Sequence, residues 1–194
     1  NGVFGGRMKE NVERCGATAI MVTDRWGDPV DPEKLEAAIK AHPDAKVVAF
    51  VHAETSTGVR SDAETLCRLA KSAGMLVIMD AVTSLAGIDL KTDAWGADVV
   101  YSGTQKCLSG LPGISPITFS EDAVTTIQQR TQKVQSWFLD MNLIMGYWGE
   151  GAKRAYHHTA PVNAIYALHE ALLMLEEEGL EASIARHQDN HAML

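Results

Sequence analysis

The sequence has only three cysteines, Cys15, Cys67 and Cys107, widely spaced and with no Cys-x-x-Cys pair among them. That count and spacing support neither a disulfide framework nor a zinc site, and reduced, intracellular thiols are expected. Basic residues are scarce as well. Lys and Arg number 17 against 25 Asp and Glu, a net charge of −8, and no basic stripe offers a nucleic-acid backbone a footprint. No nucleic acid is expected as a partner. No apolar run approaches the roughly 20 residues that span a bilayer, and the start lacks the basic and apolar segments of a secretory signal. The expectation is a soluble, cytoplasmic chain with no membrane partner. Repeats, low-complexity tracts and Ser/Pro linkers are also missing.

What is present is ordinary for a globular chain: 194 residues, 46% of them hydrophobic, enough for one sizeable core. Short apolar runs alternate with helical patterns. Strands are expected at 17–22, 46–51, 75–79, 98–101 and 117–119. Helices are expected from Asp31 and from Ser61, where Asp31-Pro32-Glu33 and Ser61-x-x-Glu64 supply capping signals. Gly74 ends the second of these. Strand–helix alternation of this kind specifies an α/β fold, a mostly parallel sheet sandwiched by helices. Runs 46–51 and 75–79 are nearly continuous in apolar residues, the pattern of strands covered on both faces.

Beyond Ser120 the chain turns helical, at 121 to about 132, around 137–147 and at 161–178. In the last segment Val162, Ile165, Tyr166, Leu168, Leu172 and Leu175 recur at helical spacing, most simply as a core face. Glu176-Glu177-Glu178 reads as a solvated rim. The opening Asn1-Gly2-Val3-Phe4-Gly5-Gly6 reads like a chain already in progress, so a fragment of a longer protein is expected.

In open α/β sheets ligands collect at the carboxyl ends of the strands. Three polar groups follow such ends: His52-Ala53-Glu54-Thr55-Ser56-Thr57-Gly58, then Asp80, then Ser102-Gly103-Thr104-Gln105-Lys106. Asp80 after four apolar residues is costly unless a cation or strong donor meets it, though a helix cap or salt bridge would also serve. Lys106 alone is most simply a solvated loop residue. Together, an anion and an amine at neighbouring strand ends suit pyridoxal phosphate. Its aldehyde forms a Schiff base with a lysine, and its ring nitrogen wants a carboxylate. Thr55, Ser56, Thr57, Ser102, Thr104 and Gln105 then offer partners for the phenolic oxygen and phosphate.

Four blocks carry a resemblance: H-A-E-T-S-T-G-V from His52, V-I-M-D-A-V-T-S-L-A-G from Val77, Y-S-G-T-Q-K-C-L-S-G-L-P-G from Tyr101 and Y-H-H-T-A-P from Tyr156. In this order they resemble the class V, fold type I aminotransferases, nearest the alanine–glyoxylate and serine–glyoxylate (serine–pyruvate) branch. The resemblance implies that Lys106 is the Schiff-base lysine and Asp80 the partner of the pyridine nitrogen. It implies that Val82 packs on the ring, Thr55 approaches the phenolic oxygen and Gln105 reaches the phosphate. Tyr156 and Thr159 would reach the phosphate in the other subunit of a homodimer with shared sites. A small amino acid and a 2-oxo acid, with glyoxylate or pyruvate as acceptor, are the implied substrates.

The resemblance further implies that residues 1–194 form most of the cofactor-binding large domain, with 180–194 leading toward a C-terminal small domain that carries the substrate-binding arginine. A Gly-rich phosphate loop and a ring-stacking aromatic are expected ahead of Asn1. A metal at His157 and His158 is not expected, since adjacent histidines point apart and lack a third ligand. Phosphonate and phosphoserine transaminases are the near alternatives. Cysteine desulfurases fit less well, because no Cys follows Cys107; Cys107 itself reads as packing. A nicotinamide-dependent oxidoreductase would need Gly-x-Gly-x-x-Gly, and Gly2, Gly5 and Gly6 are wrongly spaced for it. A non-catalytic module would pair Lys106 with Asp80 structurally.

Overall fold

The computed structural model describes residues 1–148 and 155–194. In chain order they form α1 (Val3–Arg14), α2 (Pro32–Ala41), β1 (Val47–Val51), β2 (Ala53–Glu54), β3 (Val59–Arg60), α3 (Ala63–Ser72) and β4 (Leu76–Asp80). There follow α4 (Thr92–Trp95), β5 (Val99–Tyr101), β6 (Ile117–Phe119), α5 (Glu121–Gln128), α6 (Met141–Trp148), α7 (Val162–Glu178) and α8 (Leu180–Met193). One sheet has the order β1-β4-β5-β6, and β2 and β3 pair as a separate small hairpin. Strands β1, β4 and β5 run parallel, as the alternation demands. β6 returns antiparallel to β5, because the connection from Tyr101 to Ile117 holds no helix to carry a crossover.

Local chemistry sets the helix starts. Asp31 accepts a hydrogen bond from Glu33 N, and Pro32 occupies the first helical position of α2. At α3 the cap is Asp62, which accepts from Thr65 N. Ser61, one residue earlier, is buried and accepts from Val30 N instead. Gly74 at φ 72° then turns the chain out of α3, a conformation that side chains resist.

Along α3, Ala63, Leu66, Cys67 and Ala70 recur on one face and are buried. They meet Phe50, Val77, Met79 and Val100 of the sheet in the main core. Each large side chain buried there stabilises the fold by roughly 2 kcal/mol. Asp98 locks the neighbouring strands in place. It is 1% exposed and accepts from Val77 N, Ser120 Oγ and Lys71 Nζ at 2.7–3.0 Å.

Three expectations need correction. Residues 17–22 form no strand. A strand exists through its ladder, and this segment meets no ladder partner among the described residues, leaving Ile20 and Met21 exposed. β1 is not covered on both faces along its length, since Val47 and Ala49, which share a face, are exposed. The apolar stripe of α7 is not a core face either: Val162, Ile165, Tyr166 and Leu172 are exposed, and Ala171 is the helix's buried residue. Among the described residues no helix is long and apolar enough to cross a membrane.

His52, just past β1, is 2% exposed and packs edge-on against Trp95. Burial, with help from the Arg60 charge, pulls its imidazole down to about 4. Between that value and the ordinary histidine range near 6.5, the unfolded chain binds a proton that the folded chain refuses. Folding stability therefore falls as pH drops from about 6.5 to 4, by about 3 kcal/mol from this group. Denaturant titrations at stepped pH check this. His52→Phe should flatten the profile in that window, and an unchanged slope would refute the assignment.

Candidate functional site

The parallel register sets Val51, Asp80 and Tyr101 in one row at the carboxyl ends of β1, β4 and β5. Asp80 is 6% exposed, yet its carboxylate is well met. Val82 N donates to Oδ1 at 2.9 Å, and the Tyr101 hydroxyl donates to Oδ2 at 2.8 Å. Burial, reinforced by the Asp80 charge, pushes the Tyr101 phenol well above its usual value, so it remains a donor.

A cleft of about 260 Å³ opens over this row. It brings together Thr55, Asp80, Val82, Gln105 and Lys106, joining segments that lie far apart in the chain. Lys106 is exposed within it, and its Nζ has no ion-pair or hydrogen-bond partner among the described residues. Asp80 and Lys106 are therefore not a structural pair. The loop that carries Lys106 is fixed from below. Ser102 Oγ donates to Ala81 O at 3.0 Å, Thr104 Oγ1 donates to the Leu111 carbonyl, and Gly110 N donates to Thr104 O at 2.8 Å.

Ser102 and Thr104 thus serve the loop, and they are buried. Ser56 is also engaged elsewhere, accepting from Val3 N at 2.9 Å and donating to Glu54 at 2.7 Å. Of the expected hydroxyl and amide cluster, Thr55 and Gln105 line the cleft. Tyr156 and Thr159 do not. Their hydroxyls bond each other at 2.7 Å on the surface, with Tyr156 74% exposed. Cys107 Sγ faces Thr83 O at 3.6 Å and burial raises its thiol, which matches a packing role.

His157 and His158 do not point apart, contrary to expectation: their Nδ1 atoms lie 2.7 Å from each other. Because the Trp137 carbonyl only accepts, the His157 Nε2–H donates to it at 3.0 Å. The histidines are occupied by their mutual contact, by stacking of His157 on Trp137, and by packing of His158 against Phe138 and Trp148. No group of three or more candidate metal ligands occurs among the described residues.

Two cleft residues escaped the sequence reading. Phe4 and Arg7 of α1 form part of the wall, with the Arg7 guanidinium 4.7 Å from the Phe4 ring centre. Phe4 thus puts an aromatic side chain in the cleft wall. Glu54 holds α1 in place, receiving Phe4 N at 3.4 Å and Gly5 N at 3.3 Å. Burial alone would raise the Glu54 carboxyl, but bonds from Ser56, Gly5 and Phe4 outweigh it and lower it. Gly2 is needed here, since a Cβ would meet Glu54 Cγ at 2.4 Å. Tyr101 also went unassigned, although its place opposite Asp80 follows from aligning β4 with β5.

Pyridoxal phosphate fits these residues. An unpaired amine answers its aldehyde, a buried carboxylate answers its ring nitrogen, and Phe4 and Val82 give apolar surface for its ring. A parallel sheet with such a cleft at its strand ends is suited to holding pyridoxal phosphate. Residues 8–194 match the aminotransferase class-V family model, and the chain belongs to that family, whose members depend on pyridoxal phosphate.

The chain is similar to alanine–glyoxylate aminotransferase of Oryctolagus cuniculus, 37% identical over 190 residues that make up 97% of this chain and 48% of that protein. The crystal structure of alanine–glyoxylate aminotransferase from a Nostoc species superposes with a TM-score of 0.94 at 44% identity, covering 99% of this chain and 50% of that one. Ureidoglycine–glyoxylate aminotransferase of Bacillus subtilis matches with a TM-score of 0.91 at 38% identity, over 96% of this chain and 47% of that one. The chain spans about half the length of these relatives.

Proposed function

We propose that residues 1–194 form most of the cofactor-binding large domain of an aminotransferase that moves an amino group from a small amino acid, alanine or serine, to glyoxylate or pyruvate. The carrying observation is that Asp80 and Lys106 line one cleft while the Asp80 oxygens are met by Val82 N and Tyr101, not by Lys106. The glyoxylate named in the relatives supports the acceptor. When bound, pyridoxal phosphate supplies an aldehyde for amines and a ring that draws electrons from the substrate α-carbon.

Lys106 Nζ is the covalent anchor, and once freed it moves the proton off the donor's α-carbon. Asp80, oriented by donors from Val82 N and the Tyr101 hydroxyl, would face the ring nitrogen and favour a proton there. Val82 and Phe4 would cover the ring faces, Thr55 would meet the phenolic oxygen and Gln105 the phosphate. The order is ping-pong, with the first keto acid leaving before the second enters.

A homodimer belongs to the proposal. Trp137, Phe138, Trp148 and Tyr166 are exposed, and aromatics are enriched where interfaces form. The Tyr156–Thr159 hydroxyl pair lies outside its own cleft, and a twofold contact lets each subunit lend it to the other's phosphate.

Substrate choice is tested on the full-length protein loaded with pyridoxal phosphate, by following the cofactor's visible absorbance after one addition of each donor. Alanine or serine should bleach it at least about tenfold faster than phosphoserine or 2-aminoethylphosphonate, the margin a missed polar contact commands. The reverse order would place the protein with the phosphonate and phosphoserine transaminases instead.

A further inference from the structure

We infer that Tyr101 is a positioning residue for the cofactor's ring nitrogen, acting through Asp80: its hydroxyl, 2.8 Å from Oδ2, fixes the carboxylate's orientation. The inference rests on the proposed cofactor reading and extends it to a residue with no contact to substrate.

The geometry leaves little other purpose for this phenol. The Tyr101 hydroxyl bonds Asp80 and no other group among the described residues. Its backbone is tied to the same point, since Ala81 N donates to Tyr101 O at 2.9 Å and Ser102 Oγ donates to Ala81 O at 3.0 Å. Tyr101 and Ser102 therefore grip Asp80 and Ala81 from both side chain and main chain. Val82 N occupies Oδ1, so the two donors fix the carboxylate plane between them. Each carboxylate oxygen accepts more than one bond, which leaves Oδ2 able to meet a ring N–H as well.

A proton shared between a carboxylate and a pyridine nitrogen rests on the stronger base. Two donors to Asp80 share its negative charge and hold its oxygens where a ring N–H can meet them. The nitrogen then keeps the proton, as an electron-withdrawing ring requires. With one donor removed, the balance moves toward the carboxylate. Burial and the Asp80 charge together keep the phenol protonated, so the donor persists across the working pH range.

The test uses full-length protein loaded with cofactor labelled with ¹⁵N in the ring. In the unsubstituted protein the nitrogen signal should sit at the protonated position. Tyr101→Phe should retain the Lys106 adduct after borohydride reduction, yet move the signal toward neutral pyridine. It should also lower kcat by about tenfold with KM for the donor little changed, the size expected for one charge-assisted hydrogen bond. Fluorotyrosine at position 101, a stronger donor, should hold the signal at the protonated position and restore kcat.

A signal unmoved by Tyr101→Phe, with only a lowered melting temperature, overturns the Tyr101 assignment alone. A signal that fluorotyrosine shifts in the same direction as phenylalanine does so too. Absence of any adduct or cofactor signal in the unsubstituted protein overturns the cofactor reading and this inference together.

Discussion

Replacing Lys106 with alanine in the full-length protein should abolish covalent retention of pyridoxal phosphate and lower turnover by at least roughly 10²- to 10⁴-fold, the range attributed to a positioned proton carrier. The substitution is a clean one structurally. The Lys106 side chain is exposed, and among the described residues it makes no hydrogen bond. The loop around it is held by Ser102, Thr104 and Gly110, none of which uses the lysine side chain. Stability should therefore move by less than about 0.5 kcal/mol, and any loss of function reports chemistry. Borohydride reduction followed by peptide mass measurement reads the result directly. An adduct that persists on another lysine, or turnover that survives, would remove Lys106 from the anchor role.

Mixing two inactive variants should restore activity if the sites are shared. A Lys106→Ala subunit still offers Tyr156 and Thr159, while a Tyr156→Phe, Thr159→Ala subunit still offers Lys106. In random 1:1 reassociation about half the dimers are mixed, each with one complete site of its two, so about a quarter of full activity should return. The surface placement of the hydroxyl pair makes the experiment interpretable, because Tyr156 is 74% exposed and removing its hydroxyl leaves the core untouched. Activity no better than either parent, in samples shown to contain mixed dimers, would mean that each cleft is built from one chain.

The parts of the fold that could be read from sequence are those fixed by neighbours along the chain. Asp31 and Pro32 announce α2, Gly74 closes α3, and the apolar runs at β1 and β4 fall where the strands form. These signals are local, and the physics that carries them is local. Residues 17–22 show the limit. Their composition suits a strand, but pairing is a property of two segments, and no partner meets them among the described residues. α7 fails for a related reason: its stripe says that an apolar face exists without saying what covers it.

The candidate site divides along the same line. Asp80 and Lys106 stand out because each is an ionisable group directly after an apolar strand or its loop, and both line the cleft. Tyr101 does not stand out, since its importance comes from the β4–β5 register and nothing beside it in sequence marks it. Phe4 and Arg7 were further from view. An aromatic and a cation one turn apart on a helix look like surface until tertiary contact swings that helix over the strand ends. Ser102 and Thr104 erred the other way, looking like ligand groups while binding their own backbone.

Glu54 gives the cleft a place in the order of folding. Helix α1 has no buried residue of its own, and its first turn is fastened by a carboxylate 50 residues away along the chain. Closing so long a loop costs entropy before any contact returns it, so α1 should dock after the hairpin carrying Glu54 has formed. During synthesis the helix leaves the ribosome well ahead of the strand that will receive it. Phe4 and Arg7 then arrive at the strand ends as a late addition to a sheet already assembled, and amide exchange in α1 should outpace exchange in β4.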